Sequence, residues 1–113
     1  MVRAIEAAGY STEQMGIALD VAATEFHHED GYHMDGKVLS SEDLADVYSS
    51  WLDAYPILSI EDGFGEDDWK GWAQFTKREG HRVQTVGDDL FVTQSERLAQ
   101  GIEIGAALSL IHI

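Results

Sequence analysis

The sequence contains no cysteine and few basic residues, and both shortages exclude classes of function. Without cysteine there is neither a disulfide framework nor a thiolate metal site. Only 7 basic residues stand against 21 acidic ones, which gives a formal net charge of −14 at pH 7. Because Lys and Arg clusters are what bind phosphate groups, this charge disfavours nucleic acid and anionic membranes as partners.

Long apolar stretches are also lacking. No run approaches the roughly 20 apolar residues that a membrane-spanning helix needs, and the first ten residues, MVRAIEAAGY, contain no signal-peptide core. Together with the absence of cysteine, this favours a cytoplasmic protein. The length of 113 residues allows one small domain, and 44% hydrophobic with 25% charged residues is typical of globular proteins.

Helix and strand signals alternate along the chain. We predict the end of a helix over 2–8, a strand buried on both faces within 15–22, a polar loop or small hairpin over 25–37, a helix over 40–55, a strand over 57–60, a helix over 66–79, a strand over 83–86, a helix from 93 and a fourth strand from 107. Strands separated by helices predict a parallel α/β sheet. The spacing fits a doubly wound sheet or a (β/α)₈ barrel, and the pattern alone does not separate them.

Two of these helices carry N-terminal signals. Ser40 is the expected N-cap of the first, with Asp43 as its capping-box partner. Thr93 and Glu96 form a T-x-x-E box that we expect to open the last helix, which then buries an apolar stripe. That stripe comprises Leu98, Ala99 and Ile102.

Acidic residues fall at the ends of three successive predicted strands. Asp20 ends IALD, Glu61 ends LSIE and Asp88 ends TVGD. Because α/β folds place ligand sites at the carboxyl ends of their strands, these side chains are expected to meet and either to bind a cation or to retain protons. Oxygen-only ligands favour Mg²⁺ or Mn²⁺. The neighbours Asp62 and Asp89 remain alternative ligands, and an acid after a strand is also often a helix cap or turn residue.

The remaining polar and aromatic clusters indicate structure rather than a site. His27, His28 and His33 lie close together in sequence, but no framework of zinc ligands accompanies them, so we expect a solvated loop. The three tryptophans lie on predicted helix faces and are expected to pack in the core. These are Trp51, Trp69 and Trp72.

Four stretches of the sequence resemble the enolase family, and the bacterial type in particular. They are ALDVAATEF at 18–26, YPILSIEDG at 55–63, EDDW at 66–69 and VGDDLFVT at 86–93. Their order and spacing also follow the family, and the resemblance covers residues 3–107, so that the chain is similar to an internal part of the C-terminal barrel domain. The fold that this implies is a partial (β/α)₈ TIM-type barrel with about four parallel strands.

The resemblance implies a function and selects among the acids. Enolases are Mg²⁺-dependent lyases that interconvert 2-phospho-D-glycerate and phosphoenolpyruvate in glycolysis, with Mg²⁺ stabilising the enolate formed when a lysine removes a proton; enolase-superfamily sites are a standard example of this arrangement. The metal ligands would be Asp20, Glu61 and Asp88. The resemblance further implies a homo-oligomer that binds this small-molecule substrate in the cytoplasm, with a secreted or cell-surface location also open.

The resemblance breaks at the end of the chain. The family's proton-abstracting lysine would fall at position 113, which is Ile113, and the acid glutamates of the family lie upstream of the region matched. Residues 108–113 resemble a translated sequencing-library transposon end, so we predict a non-native tail there. We therefore expect the isolated chain to bind Mg²⁺ weakly, to aggregate and to be inactive.

Two other functions remain open at this point. One is another enzyme of the enolase superfamily, such as a racemase or a cycloisomerase, although such enzymes do not resemble VGDDLFVT together with EDDW. The other is a non-catalytic binding or surface module. A reading frame that continues past residue 107 into a strand ending in lysine would favour the enzyme, whereas a natural stop there would favour the module.

Overall fold

The computed structural model describes residues 1–112 and contains four α-helices, seven strands and one short 3₁₀ helix in that range. In chain order they are α1 (Val2–Ala7), β1 (Ile17–Asp20), the 3₁₀ helix (Ala23–Phe26), β2 (His27–His28), β3 (Gly31–Met34), β4 (Lys37–Leu39), α2 (Ser41–Ala54), β5 (Ile57–Glu61), α3 (Trp69–Glu79), β6 (Gln84–Gly87), α4 (Ser95–Ile104) and β7 (Ser109–Leu110).

Four of the strands form one parallel sheet. The order across it is β1-β5-β6-β7, and all three pairings are parallel. Each connection from β5 onward contains one helix, as expected for β/α units. The prediction of a parallel α/β sheet is confirmed. The polar segment after β1 forms a separate three-stranded antiparallel sheet, β2-β3-β4, so the small hairpin expected there is confirmed and extended by one strand.

The hydrophobic core lies between the sheet and helices α2 and α3. Its largest fully buried side chains are Trp72, Tyr32, Tyr48, Phe64 and Phe75. The rings pack edge-on or tilted, with centroids 5.5–6.2 Å apart around Phe64, which is the favoured geometry for aromatic pairs. The prediction that the tryptophans pack in the core is confirmed, with Trp51 and Trp69 at its partly buried margin.

The N-termini of the helices differ in how well sequence signals predicted them. At α2 the Ser40 hydroxyl accepts from the Asp43 amide and the Asp43 carboxylate accepts from the Ser40 amide, so the capping box is confirmed. Helix α3 begins at Trp69, later than predicted, because Asp68 caps it by accepting from the Gly71 amide.

The capping box predicted for the last helix is wrong. Helix α4 begins at Ser95 with Gln94 as N-cap, and the Gln94 side chain makes no capping hydrogen bond. Thr93 instead has a φ of 57° and Val92 a φ of 40°, so the backbone makes a left-handed turn where the helix was expected to open. A Thr in that conformation cannot have the extended backbone that an N-cap requires.

Burial also differs from two expectations at the edges of the structure. Strand β1 was expected to be buried on both faces, but Ala18 and Asp20, which alternate along one face of it, are exposed. Helix α4 was expected to bury Ala99 and Ile102, but Ala99 is exposed and Ile102 is 73% exposed, with Gly101 the one residue of α4 that is buried. Ala99 and Ile102 therefore face outward, whereas Leu98 is half-buried and packs against the core.

The end of the chain bears on two predictions. The fourth strand is Ser109–Leu110, which pairs with Val86 and Gly87 of β6, and the proposal that 108–113 is a non-native tail stays a prediction. Ile113, where the family's lysine would fall, lies outside the described residues. None of the helices in residues 1–112 combines the length and the apolar character needed to cross a bilayer.

Candidate metal centre

Parallel pairing brings the predicted acids to one edge of the sheet. Asp20 is the last residue of β1 and Glu61 the last of β5, and the two are direct partners in the parallel register. Asp88 follows Gly87, the last residue of β6, which is the strand beside β5. The three residues predicted from strand ends therefore lie at the carboxyl edge of three adjacent strands.

The tightest group of carboxylates at this edge differs by one member from the predicted set. Oxygen atoms of Asp20, Glu61 and Asp62 all lie within 4.8 Å of one another, and Asp88 is not in this group. Asp20 is exposed, Glu61 is half-buried and Asp62 is 3% exposed. Both members of the Glu61–Asp62 pair therefore approach the edge, but they do so from different environments.

The Asp62 carboxylate is occupied by the loop that follows β6. Its Oδ1 accepts from the Asp88 amide at 3.0 Å and the Leu90 amide at 3.4 Å, and its Oδ2 accepts from the Asp89 amide at 2.9 Å. A carboxylate offers about four lone-pair positions, so most of its acceptor capacity is taken. Sequence reasoning treated Asp62 as a spare ligand and missed this role.

Negative charge is concentrated at the site. Burial raises the pKa of Glu61, and the negative charges of Asp20, Asp62, Asp88 and Asp89 raise it further. The pKa of Asp89 is raised in the same way, first by burial and then by Asp62 and Asp88. Carboxylates whose charge raises the pKa of a neighbour are close enough to repel it, and a bound cation is the usual means of relieving such repulsion.

The loops at the strand ends hold several residues in unusual backbone conformations. Ala22 after β1 has a φ of 49° and Asp62 after β5 has a φ of 44°. Positive φ is uncommon for residues other than glycine, and such residues cluster at functional sites. Together with Val92 and Thr93 after β6, four of the five non-glycine residues with positive φ in residues 1–112 follow the three strands that carry the acids, and the fifth, Asp35, lies between β3 and β4.

A single arginine joins the loops after β5 and β6. The Arg97 guanidinium donates to the carbonyl oxygens of Leu90 and Glu66, and it stacks over the Trp69 ring at 4.8 Å from the centroid. Its side chain is 23% exposed. Arg97 belongs to no motif in the sequence, although it is the one Lys or Arg after position 82.

The histidine segment forms part of the small antiparallel sheet. His27 stacks on Tyr32 at 4.3 Å between ring centroids, while His28 and His33 are exposed. His33 bonds to Asp30 at 2.6 Å. The Tyr32 hydroxyl donates to Asp68 at 2.6 Å, which connects this sheet to the N-terminus of α3. These contacts are structural and lie apart from the acidic group.

The donor set at the strand ends fits a hard divalent cation. Within residues 1–112 the one group of at least three metal-ligating side chains that converge is Asp20, Glu61 and Asp62, and all of its donors are oxygen atoms. Mg²⁺ and Mn²⁺ prefer a small number of carboxylates together with water and substrate oxygens. This convergence does not test which of the acids bind the ion, so Asp20, Glu61 and Asp88 stay predictions.

A parallel β/α sheet with acids gathered at the carboxyl ends of its strands defines the class of β/α proteins that place a charged centre at that edge. Comparison with known proteins is more specific. Residues 1–112 match the family model described as enolase, C-terminal TIM barrel domain. The chain is 51% identical to an enolase of Wolinella succinogenes over 115 aligned positions, which cover 98% of the chain and 27% of that relative. The chain therefore belongs to the enolase family, and it spans about a quarter of the length of the curated relative.

Proposed function

We propose that this chain provides the cation-binding edge of an enolase, a Mg²⁺-dependent lyase that interconverts 2-phospho-D-glycerate and phosphoenolpyruvate. The observation that carries the proposal is the parallel register that pairs Asp20 with Glu61, with Asp88 directly after the next strand. Membership of the enolase family supports the same activity for the whole protein.

The ligands in this proposal are Asp20, Glu61 and Asp88. Asp62 is a poorer candidate because its two oxygens already accept three backbone N–H groups. Asp20, Glu61 and Asp88 would hold the divalent ion, which would supply positive charge near the carboxylate of the substrate, the group that gains negative charge in the reaction. The chain's own contribution is to hold three carboxylates at fixed strand ends, which keeps the charge in place before the substrate arrives.

Proton abstraction is not assigned to any residue of this chain. Its three lysines are Lys37 on β4 and Lys70 and Lys77 on α3, all of them exposed, and none ends a strand of the parallel sheet. A base must reach the proton that it removes at hydrogen-bond distance. We therefore propose that the isolated chain binds the cation without catalysing turnover.

Two further properties belong to the same proposal. The formal charge of −14 opposes binding to nucleic acid or anionic membranes. The absence of cysteine favours a cytoplasmic location. The partner that we propose is the small phosphorylated substrate, bound by a homo-oligomer of the whole protein.

The decisive experiment is titration of Mg²⁺ by calorimetry against the unsubstituted chain and the variants Asp20→Asn, Glu61→Gln and Asp88→Asn. Each variant removes one negative charge with little change in shape. We expect each to lower Mg²⁺ affinity at least about tenfold, which corresponds to about 1.4 kcal/mol. The matched control is Glu103→Gln, which removes one negative charge from the exposed face of α4.

The control separates ligand loss from the general change in charge. Glu103→Gln is expected to leave the affinity within about twofold, because exposed charges far from the ion are screened by salt. If the three site variants and the control all bind Mg²⁺ equally well, the ion does not sit at this edge and the proposal fails. The activity is then tested in the whole protein that contains this chain, as conversion of 2-phosphoglycerate measured by the ultraviolet absorbance of the product.

A further inference from the structure

Asp62 is connected to all three strand ends that carry the proposed ligands. Its amide donates to the Val86 carbonyl on β6 at 2.9 Å, and its own carbonyl accepts from the Ala23 amide after β1 at 2.9 Å. Its side chain accepts from the three amides of residues 88–90. One residue after β5 is therefore bonded to the segments that follow or end both neighbouring strands.

The bonds from residues 88–90 fix the direction in which the loop leaves β6. Three successive amides converge on one carboxylate, so the backbone from Asp88 to Leu90 must curve around it. This curvature determines the position and direction of the Cα–Cβ bond of Asp88. Charge-assisted bonds from backbone N–H groups to a carboxylate are roughly twice as strong as neutral ones, and here the carboxylate is 3% exposed, so water competes little for it.

The backbone of Asp62 is itself held in place. Its φ of 44° lies in the left-handed region, which Asp tolerates better than most residues because its short polar side chain bonds locally. The following Gly63 leaves no room for a side chain, since a Cβ there would lie 2.9 Å from Ile60. The Gly63 carbonyl accepts from the buried Tyr48 hydroxyl at 2.7 Å. The carboxylate is thus aimed by a rigid turn.

We infer that Asp62 is a positioning residue of the cation site, whose carboxylate holds the loop 88–90 so that Asp88 faces Asp20 and Glu61, and that it does not itself bind the ion. The inference rests on the proposed function, because it takes Asp88 as a ligand. It assigns different roles to two adjacent acids: Glu61 contacts the ion and Asp62 shapes the loop that brings the third ligand.

Two substitutions of Asp62 separate the effect of the carboxylate from the effect of the left-handed backbone conformation. Asp62→Gly removes all side-chain acceptors and permits the positive φ without strain. Asp62→Asn keeps one acceptor oxygen and tolerates the left-handed region, so it is the conservative variant if the glycine variant fails to fold. The matched control is Asp35→Asn, which removes the same charge from an exposed residue in the turn between β3 and β4.

The experiment uses the whole protein that contains this chain, and it takes two readouts. The first is hydrogen–deuterium exchange of the amides of residues 88–90 without any divalent cation, and the second is Mg²⁺ affinity by calorimetry. For Asp62→Gly we expect protection of these amides to be lost and Mg²⁺ affinity to fall about 10- to 100-fold, the usual effect of removing a residue that orients a ligand. Asp62→Asn should retain partial protection and lose about tenfold or less in Mg²⁺ affinity, and Asp35→Asn should change neither.

The two readouts distinguish the possible failures. If residues 88–90 stay protected in both variants, or if Mg²⁺ affinity is unchanged after protection is lost, the inference is overturned. If either variant loses Mg²⁺ binding while those amides stay protected, Asp62 is a ligand and the inference is equally overturned. If the unsubstituted chain binds no Mg²⁺ at all, the proposed function fails, whereas the exchange readout without cation still reports whether Asp62 holds the loop.

Discussion

Two buried carboxylates, Asp62 at the strand ends and Glu79 in the helix layer, take different kinds of partner. Asp62 is 3% exposed and accepts from backbone amides of a loop. Glu79 is 5% exposed and accepts from the Ser49 hydroxyl at 2.6 Å and from Arg82 Nε at 2.5 Å. Burial is nearly the same, so the partners alone distinguish the two residues.

The different partners of Asp62 and Glu79 indicate that the two residues have different structural roles. The Glu79 partners are Ser49 on α2, Arg78 on α3 itself and Arg82 after α3. Arg82 also bonds to Asp53 of α2 at 2.7 Å, so this network ties two helices together. The Asp62 partners belong to one loop and fix its shape. We expect substitutions in the helix layer to alter the free energy of unfolding, and those at the strand ends to alter cation affinity.

The largest effect is expected from a pair of tryptophans on the same helix. Trp72 of α3 is 1% exposed and its indole donates to the Gly65 carbonyl at 3.2 Å. Trp72→Ala should lower the free energy of unfolding by about 3–5 kcal/mol, because the cavity forms in the core. Trp69 lies one turn earlier at the margin of the core, and Trp69→Ala should cost about 1–2 kcal/mol through lost partial burial and the lost stack with Arg97. Urea denaturation monitored by circular dichroism measures both values.

This pair can break the comparison between the two regions. Trp69 is stacked on Arg97, which bonds the loops after β5 and β6, whereas Trp72 lies in the core. Equal losses of stability in Trp72→Ala and Trp69→Ala would mean that contacts near the strand ends contribute as much to stability as the core does. In that case the separation of roles between Asp62 and Glu79 would have no general basis.

The next effect concerns the Glu79 carboxylate and its pH dependence. The hydrogen bond from Arg82 lowers the pKa of Glu79 in the folded chain, against the opposing effect of burial. Glu79→Gln should lower the free energy of unfolding by about 2 kcal/mol at pH 7, since it removes hydrogen bonds to a charged group. The stabilisation is complete above the ordinary Glu pKa of 4.5 and is lost as pH falls through the lowered folded value. Urea denaturation from pH 7 down to pH 3 should therefore show the gap between the two proteins closing below about pH 4.5.

Glu103→Gln is the control for this experiment, because it removes a charge from an exposed position. Its difference from the unsubstituted chain should stay small over the whole pH range. A gap between Glu79→Gln and the unsubstituted chain that persists undiminished at pH 3 would show that the ionised carboxylate does not carry the effect.

Elements that depend on local or repeating signals were predictable from the sequence. The helix with the Ser40 cap and an apolar stripe is present as α2, and strands between helices gave the parallel sheet. The strand-end acids were identified because the end of an apolar run can be read directly from the sequence. The resemblance of four motifs to the enolase family is confirmed by the family match over residues 1–112.

Features that depend on packing against distant residues were not predictable. Asp62 bonds to amides 26 to 28 positions further along the chain, and nothing in the SIEDG motif shows which acid turns toward that loop. Thr93 carries a valid capping motif, but the left-handed turn at Val92 and Thr93 overrides it. Ile102 has the right spacing for burial and is exposed, because periodicity describes one face of a helix and not what covers that face.

The smallest effect is expected at the N-terminus of α2, where an exposed residue also bonds to a backbone amide. The Ser40 hydroxyl accepts from the Asp43 amide at 3.1 Å, as Asp62 accepts from its loop, but Ser40 is exposed and water can replace it. Ser40→Ala should therefore lower the free energy of unfolding by only about 1 kcal/mol, the usual cost of losing an N-cap, and should leave Mg²⁺ affinity unchanged. Ser50→Ala is the control on the same helix, since its exposed hydroxyl bonds only the Val47 carbonyl within one turn, and alanine there should be neutral or slightly stabilising. A drop in Mg²⁺ affinity for Ser40→Ala would mean that bonding to a backbone amide, rather than burial at the strand ends, is what links a residue to the cation site.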